Sequence, residues 1–91
     1  MSEPRVLQLK ASKECFAEII SGNRQFEFRE IKPFWSSRLD GKDYDEIHFR
    51  NGYSSTAPLA RLKFGGVSIR QHAGHDMYAI RLGQLIEVAN V

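Results

Sequence analysis

The sequence has few of the residues that build reactive or metal-binding clusters. Its single cysteine, Cys15, excludes an internal disulfide and a zinc site made of several cysteines. No nucleophile elbow, phosphate-binding glycine loop or paired-cysteine motif is present. His72 and His75 have a spacing that some metal sites use, but only Asp76 lies near them in the sequence. We therefore expect neither a metal nor a cofactor.

The chain also has no long apolar run and no strong excess of charge of one sign. Its apolar segments fall well short of the roughly 20 residues that cross a membrane. The N-terminus has no apolar stretch of the kind found in a signal peptide, so we expect a cytoplasmic protein without a membrane partner. The 13 basic and 11 acidic residues give a net charge of +2. This mild excess is not typical of a nonspecific DNA-binding protein.

What the sequence does contain fits a single domain over residues 1–91, since 42% of the residues are hydrophobic and 26% charged. One short helix is predicted near the N-terminus. Ser12 is a candidate N-cap, and Cys15, Phe16, Ile19 and Ile20 recur on one helical face. Gly22 can adopt the left-handed conformation that commonly follows a helix.

Short alternating segments predict five or six strands. They cover residues 6–9, 25–29, 44–50, 59–63 continuing at 67–69, 78–82 and 85–88. Gly65 and Gly66 suggest a bulge within the fourth strand. Residues 30–43 are predicted to be a long connection, and residues 71–76 a polar loop. One helix with several strands and no strand–helix repeat indicates an α+β fold, with a curved, mostly antiparallel sheet or β-barrel.

The segment Gly22–Arg29 is the strongest candidate for a site. Alternation places Glu27 and Arg29 on one face of a strand, and Phe26 and Phe28 on the other face, which we expect to cover the core. An acid and a base on the remaining face are not needed to form a strand. They would make either a salt-bridged surface or a binding site, because the forked guanidinium groups of Arg24 and Arg29 suit phosphate and base edges.

The pattern Gly22-x-Arg24-x-x-Glu27-x-Arg29 resembles the Gly-x-Lys-x-x-Glu-x-Arg signature of ASCH domains, which belong to the PUA-like superfamily. The predicted order of strand, short helix and motif-bearing strand is similar too, as are the segments 29–35, 49–53 and 78–83. The resemblance implies a PUA-like barrel and an RNA-binding cleft, in a small stand-alone protein of the kind found in bacteria and phages.

Some small relatives in this family resemble amidohydrolases that act on modified cytidine through a lysine and a threonine. Arg24 and Glu27 occupy those two positions here. Arginine stays protonated in proteins and cannot act as a base. We therefore leave open whether the protein is an enzyme, and we name Glu27 as the candidate catalytic residue if it is one.

Our first hypothesis is an RNA- or nucleotide-binding protein. Lys32, Phe34 and Trp35 would stack a base beside a phosphate contact, unless the two aromatic rings plug the end of the barrel. The predicted ligand-binding residues are Arg24, Glu27, Arg29, Lys32, Trp35, Arg50 and Tyr53. The alternatives are a hydrolase or nuclease acting on RNA or a modified nucleoside, and a protein-interaction module of phage or bacterial origin.

Overall fold

The computed structural model describes residues 3–90, which form two helices and five strands. In chain order these elements are β1 (Val6–Lys10), α1 (Lys13–Ser21), β2 (Phe26–Glu30), α2 (Pro33–Leu39), β3 (Glu46–Arg50), β4 (Leu59–His72) and β5 (His75–Ala89). The sheet order is β1-β3-β4-β5-β2. Only β1 and β3 pair in parallel, and the other neighbours are antiparallel. The α+β prediction with a mostly antiparallel sheet is confirmed.

The predicted barrel does not close, because β1 and β2 stand at opposite edges of the sheet. Closure would need backbone hydrogen bonds between these two strands. In β2, however, the Phe28 N–H donates to Glu27 Oε1 at 3.1 Å, and the Phe28 carbonyl accepts from Arg29 Nη1 at 2.9 Å. Side chains thus form hydrogen bonds with backbone groups that would otherwise pair with a neighbouring strand.

Helix α1 begins and ends where the sequence predicts. The Ser12 hydroxyl accepts a hydrogen bond from the Cys15 N–H at 3.2 Å, as an N-cap does. Gly22 follows the helix with φ of 82°, a left-handed conformation that costs glycine little. Phe16 and Ile19 are buried, whereas Ile20, predicted on the same face, is 37% exposed.

Helix α2 lies within the segment that was predicted to be an irregular connection, so the prediction of a single helix is wrong. Pro33 occupies the first turn, where the N–H that proline lacks has no partner to lose. Leu39 at the other end is fully buried. Tyr44 donates its hydroxyl hydrogen to the Arg38 carbonyl and so holds the end of the helix. One buried leucine in seven residues leaves too little periodicity to reveal this helix.

Strands β4 and β5 form one long hairpin, so the polar loop predicted at residues 71–76 is wrong. The turn consists of Ala73 and Gly74 alone, with φ of 53° and 82°. Positive φ at both positions matches the twist of paired strands and lets the hairpin continue to its tip. The predicted bulge at Gly65 and Gly66 is confirmed by a register shift between Phe64 and Val67.

The core lies between the sheet and the two helices. Its largest fully buried side chains are Phe49, Leu39, Ile47 and Ile80. In β3, Ile47 and Phe49 face this core, so His48 and Arg50 lie on the opposite face of the sheet. These two faces carry different groups of the predicted site residues.

Candidate functional site

Strand β2 turns its charged face inward. Glu27 is only 6% exposed and pairs in register with Ile80, a core residue. The expectation that Phe26 and Phe28 cover the core is therefore wrong. The two rings lie on the other face, where the Arg70 guanidinium is 4.4 Å from the Phe26 ring and the His72 ring stacks on Phe28 at 3.9 Å.

Four groups contact the Glu27 carboxylate. Arg24 Nη1 and Arg29 Nη1 each lie 3.3 Å from Glu27 Oε1. The Cys15 thiol of α1 donates to Oε2 at 3.3 Å, and the Phe28 N–H also donates to Oε1. Because both oxygens are engaged and the group is buried, this carboxylate is placed to fix two guanidinium groups. It is poorly placed to take a proton from a substrate.

Arg29 spans the gap between the two edges of the sheet. Its Nη2 donates to the Lys10 carbonyl at the end of β1, at 3.2 Å. The same guanidinium lies 5.2 Å from the centre of the Trp35 ring in α2, within the range of a cation–π contact. Arg29 therefore joins β2, β1 and α2 at one place.

Arg24 connects the buried carboxylate to the surface. Its Nη2 lies 3.3 Å from Glu18 Oε1, and Glu18 is half exposed. The Arg24 Nε is buried and has no hydrogen-bond partner among the described residues. We call Arg24, Glu27, Arg29 and Trp35 the arginine cluster. It brings together four of the seven predicted site residues.

The other three predicted residues lie apart from the arginine cluster. Lys32 pairs with Glu30 at 3.1 Å in solvent. Arg50 lies on the opposite face of the sheet, where its Nη1 donates to the carbonyls of Ser55 and Ala57 at 2.9 and 3.0 Å. Tyr53 is 91% exposed. The structure therefore brings four of the seven residues together and places these three outside that group.

Sequence reasoning overlooked two residues that contact the arginine cluster, Cys15 and Glu18. Both belong to α1 and stand three positions apart, which places them on one side of the helix. This three-residue spacing was the feature of the sequence that could have shown that Cys15 and Glu18 lie together. Lys10 was also overlooked, and it takes part through its backbone carbonyl, which the sequence pattern does not reveal.

We expect the Cys15 thiol to be unreactive because of its surroundings in the fold. Burial, followed by the charge of Glu27 and the hydrogen bond to it, raises the pKa of Cys15 from 9.0 to about 11. A rise of this size lowers the thiolate fraction at neutral pH by about 100-fold, and the thiolate is the nucleophile. We expect iodoacetamide to alkylate the folded protein about 100-fold more slowly than the urea-unfolded protein, as followed by mass spectrometry at pH 8.

The variant Glu27→Gln provides the comparison, because it removes the negative charge beside the thiol. Alkylation of Cys15 should then become faster, with the rate measured under conditions where circular dichroism shows the variant to be folded. Equal rates for folded and unfolded wild-type protein would contradict the assigned environment of Cys15.

A second charged group lies on the opposite face of the sheet. Arg61 donates to both oxygens of Glu46 at 3.0 and 3.1 Å, and its third nitrogen contacts Glu87 at 2.7 Å. His48 Nε2 lies 3.0 Å from Glu46 Oε1. The hydrogen bonds from Arg61, and then from His48, lower the pKa of Glu46. Each charged side chain of this group has its partner within the group. Because Glu46, Arg61 and Glu87 belong to three strands, these contacts indicate a role in joining β3, β4 and β5.

Within residues 3–90, no cluster of three or more histidine, cysteine or acidic side chains could hold a metal ion. No helix in the same range is long and apolar enough to span a membrane. Comparison with protein-family models, curated proteins and solved structures gave no match to this chain.

Proposed function

We propose that the protein binds single-stranded RNA or a nucleotide at the arginine cluster. The observation that supports this most directly is the arrangement of Arg24 and Arg29 around one buried carboxylate, with the Trp35 ring beside Arg29. The carboxylate holds both guanidinium groups in place before a ligand arrives. A preformed pair of cations beside an aromatic ring suits a phosphate next to an unpaired base.

Burial and charge also support a ligand at this place. The side chains of Arg24 and Arg29 are 28% and 19% exposed, so neither is fully buried in the core. A ligand can therefore reach both side chains.

We propose further that the chain is a small ASCH-like, PUA-like domain. Two observations support this. The four residues that carry the motif, Gly22, Arg24, Glu27 and Arg29, follow one another around the end of α1 and along β2. Three of them then meet in the arginine cluster. The order of strand, short helix and motif-bearing strand is also that of the resemblance.

The test is fluorescence anisotropy of a labelled single-stranded RNA, and of DNA of the same sequence, at two salt concentrations. Trp35→Leu removes the stacking surface and should weaken RNA binding by about tenfold, since stacking on an aromatic ring contributes roughly 1–3 kcal/mol per base. Arg24→Gln should weaken binding and reduce the salt dependence by about one phosphate contact.

Lys42→Gln is the matched control, because it removes one positive charge at an exposed position outside the arginine cluster. It should leave the affinity nearly unchanged. The proposal fails if wild-type protein does not bind RNA even at low salt, or if Lys42→Gln weakens binding as much as Arg24→Gln.

A further inference from the structure

A groove on the opposite face of the sheet contains cationic side chains that no carboxylate neutralises directly. It has a volume of about 270 Å³, and its lining residues are Gln8, Leu9, Lys10, His48, Arg50 and Leu59. No acidic residue is among them. The groove spans β1, β3 and the start of β4 at the end where β1 meets the connection into α1.

Lys10 and Arg50 stand next to each other in this groove. They are register partners in the parallel pair of β1 and β3, so their side chains leave the same face of the sheet at neighbouring positions. Like charges at such positions repel each other. Among residues 3–90, no carboxylate forms an ion pair with either of them.

Both cations keep free hydrogen-bond donors. Arg50 uses Nη1 for the carbonyls of Ser55 and Ala57, which leaves Nε and Nη2. The Lys10 ammonium lies 5.0 Å from the centre of the Tyr53 ring, a contact that leaves its hydrogens free to donate. Gln8 adds an amide, since it is exposed and lines the same groove.

We propose that this groove binds a phosphate group, with Lys10, Arg50 and Gln8 as donors. An anion placed between Lys10 and Arg50 removes their repulsion, and the forked guanidinium of Arg50 suits phosphate oxygens. Tyr53, held beside Lys10 at the rim, offers an exposed ring for the base of a nucleotide. The phosphate comes either from a terminal monoester or from a diester in an RNA chain.

This site does not depend on RNA binding at the arginine cluster. It lies on the other face of the sheet and uses none of the cluster's side chains. The two sites meet only at Lys10. Its carbonyl accepts a hydrogen bond from Arg29, and its ammonium group lies in the groove beside Tyr53. The substitution Lys10→Gln therefore retains the carbonyl and tests the groove alone.

The experiment is a ¹H–¹⁵N NMR titration of the full chain with inorganic phosphate, adenosine 5′-monophosphate, the dinucleotide ApA and adenosine. We expect the amide signals of Lys10 and Arg50 to shift with the first three compounds and not with adenosine. The tighter of the monoester and the diester identifies the source of the phosphate. Lys10→Gln should weaken phosphate binding by about tenfold, the effect of losing one charge-assisted hydrogen bond.

Two variants serve as controls. Lys42→Gln removes the same charge elsewhere, and Trp35→Leu alters the arginine cluster, so neither should change the phosphate affinity of the groove. The proposal is overturned if the signals of Lys10 and Arg50 do not shift with phosphate. It is also overturned if Lys42→Gln weakens binding as much as Lys10→Gln.

Discussion

Replacing Glu27 with alanine should lower the free energy of unfolding by about 3–5 kcal/mol, the usual range when one partner of a buried ion pair is removed. The loss is large because the carboxylate is only 6% exposed and holds both Arg24 and Arg29. Without it, Arg29 has no carboxylate partner among the described residues, and Arg24 keeps only the half-exposed Glu18. Urea and thermal denaturation followed by circular dichroism would measure the effect.

Glu18→Ala is the matched control for this experiment. Glu18 is also an acidic partner of Arg24, at the same distance of 3.3 Å, but its side chain is 49% exposed. Its removal should lower the free energy of unfolding by less than about 1 kcal/mol. Similar losses for the two variants would show that burial adds nothing to the contribution of Glu27.

Replacing Leu39 with alanine should detach α2 from the core. Leu39 is fully buried and is the buried residue of that helix. Truncating a buried leucine typically lowers the free energy of unfolding by about 2–5 kcal/mol. Trp35 lies in the same helix and is the only tryptophan in the chain. Its fluorescence emission should therefore move to longer wavelength as α2 loosens.

Ile31→Ala is the control for that prediction. Ile31 precedes α2 and is 45% exposed, so its truncation should change stability by only about 0.5 kcal/mol and leave the emission of Trp35 unchanged. If Leu39→Ala altered neither stability nor emission, the assigned packing of α2 would be wrong.

Local rules predicted the parts of the fold whose causes are local. Ser12 and Gly22 bound α1 because a hydroxyl and a left-handed glycine act within a few residues. The alternation in β3 correctly placed Ile47 and Phe49 opposite His48 and Arg50. Gly65 and Gly66 marked the bulge for the same reason, since a β-bulge is a local distortion.

The buried face of β2 and the grouping of the site residues depended on partners distant in the sequence, so local rules could not predict them. Alternation in β2 separated Glu27 from Phe28, but period two does not say which face meets the core. Burial of the charged face became possible through Arg24 and through Cys15 of α1. The separation of Arg50 from the arginine cluster likewise follows from the order of the strands, which no local pattern contains.

The side-chain pairing of the Phe28 backbone bears on how molecules of this protein meet one another. An edge strand with free N–H and C=O groups can pair with the edge of a second copy and start aggregation. In β2, the side chains of Glu27 and Arg29 form hydrogen bonds with the N–H and C=O groups of Phe28 from within the same molecule. These two members of the arginine cluster thus also act as a barrier to intermolecular strand addition at Phe28.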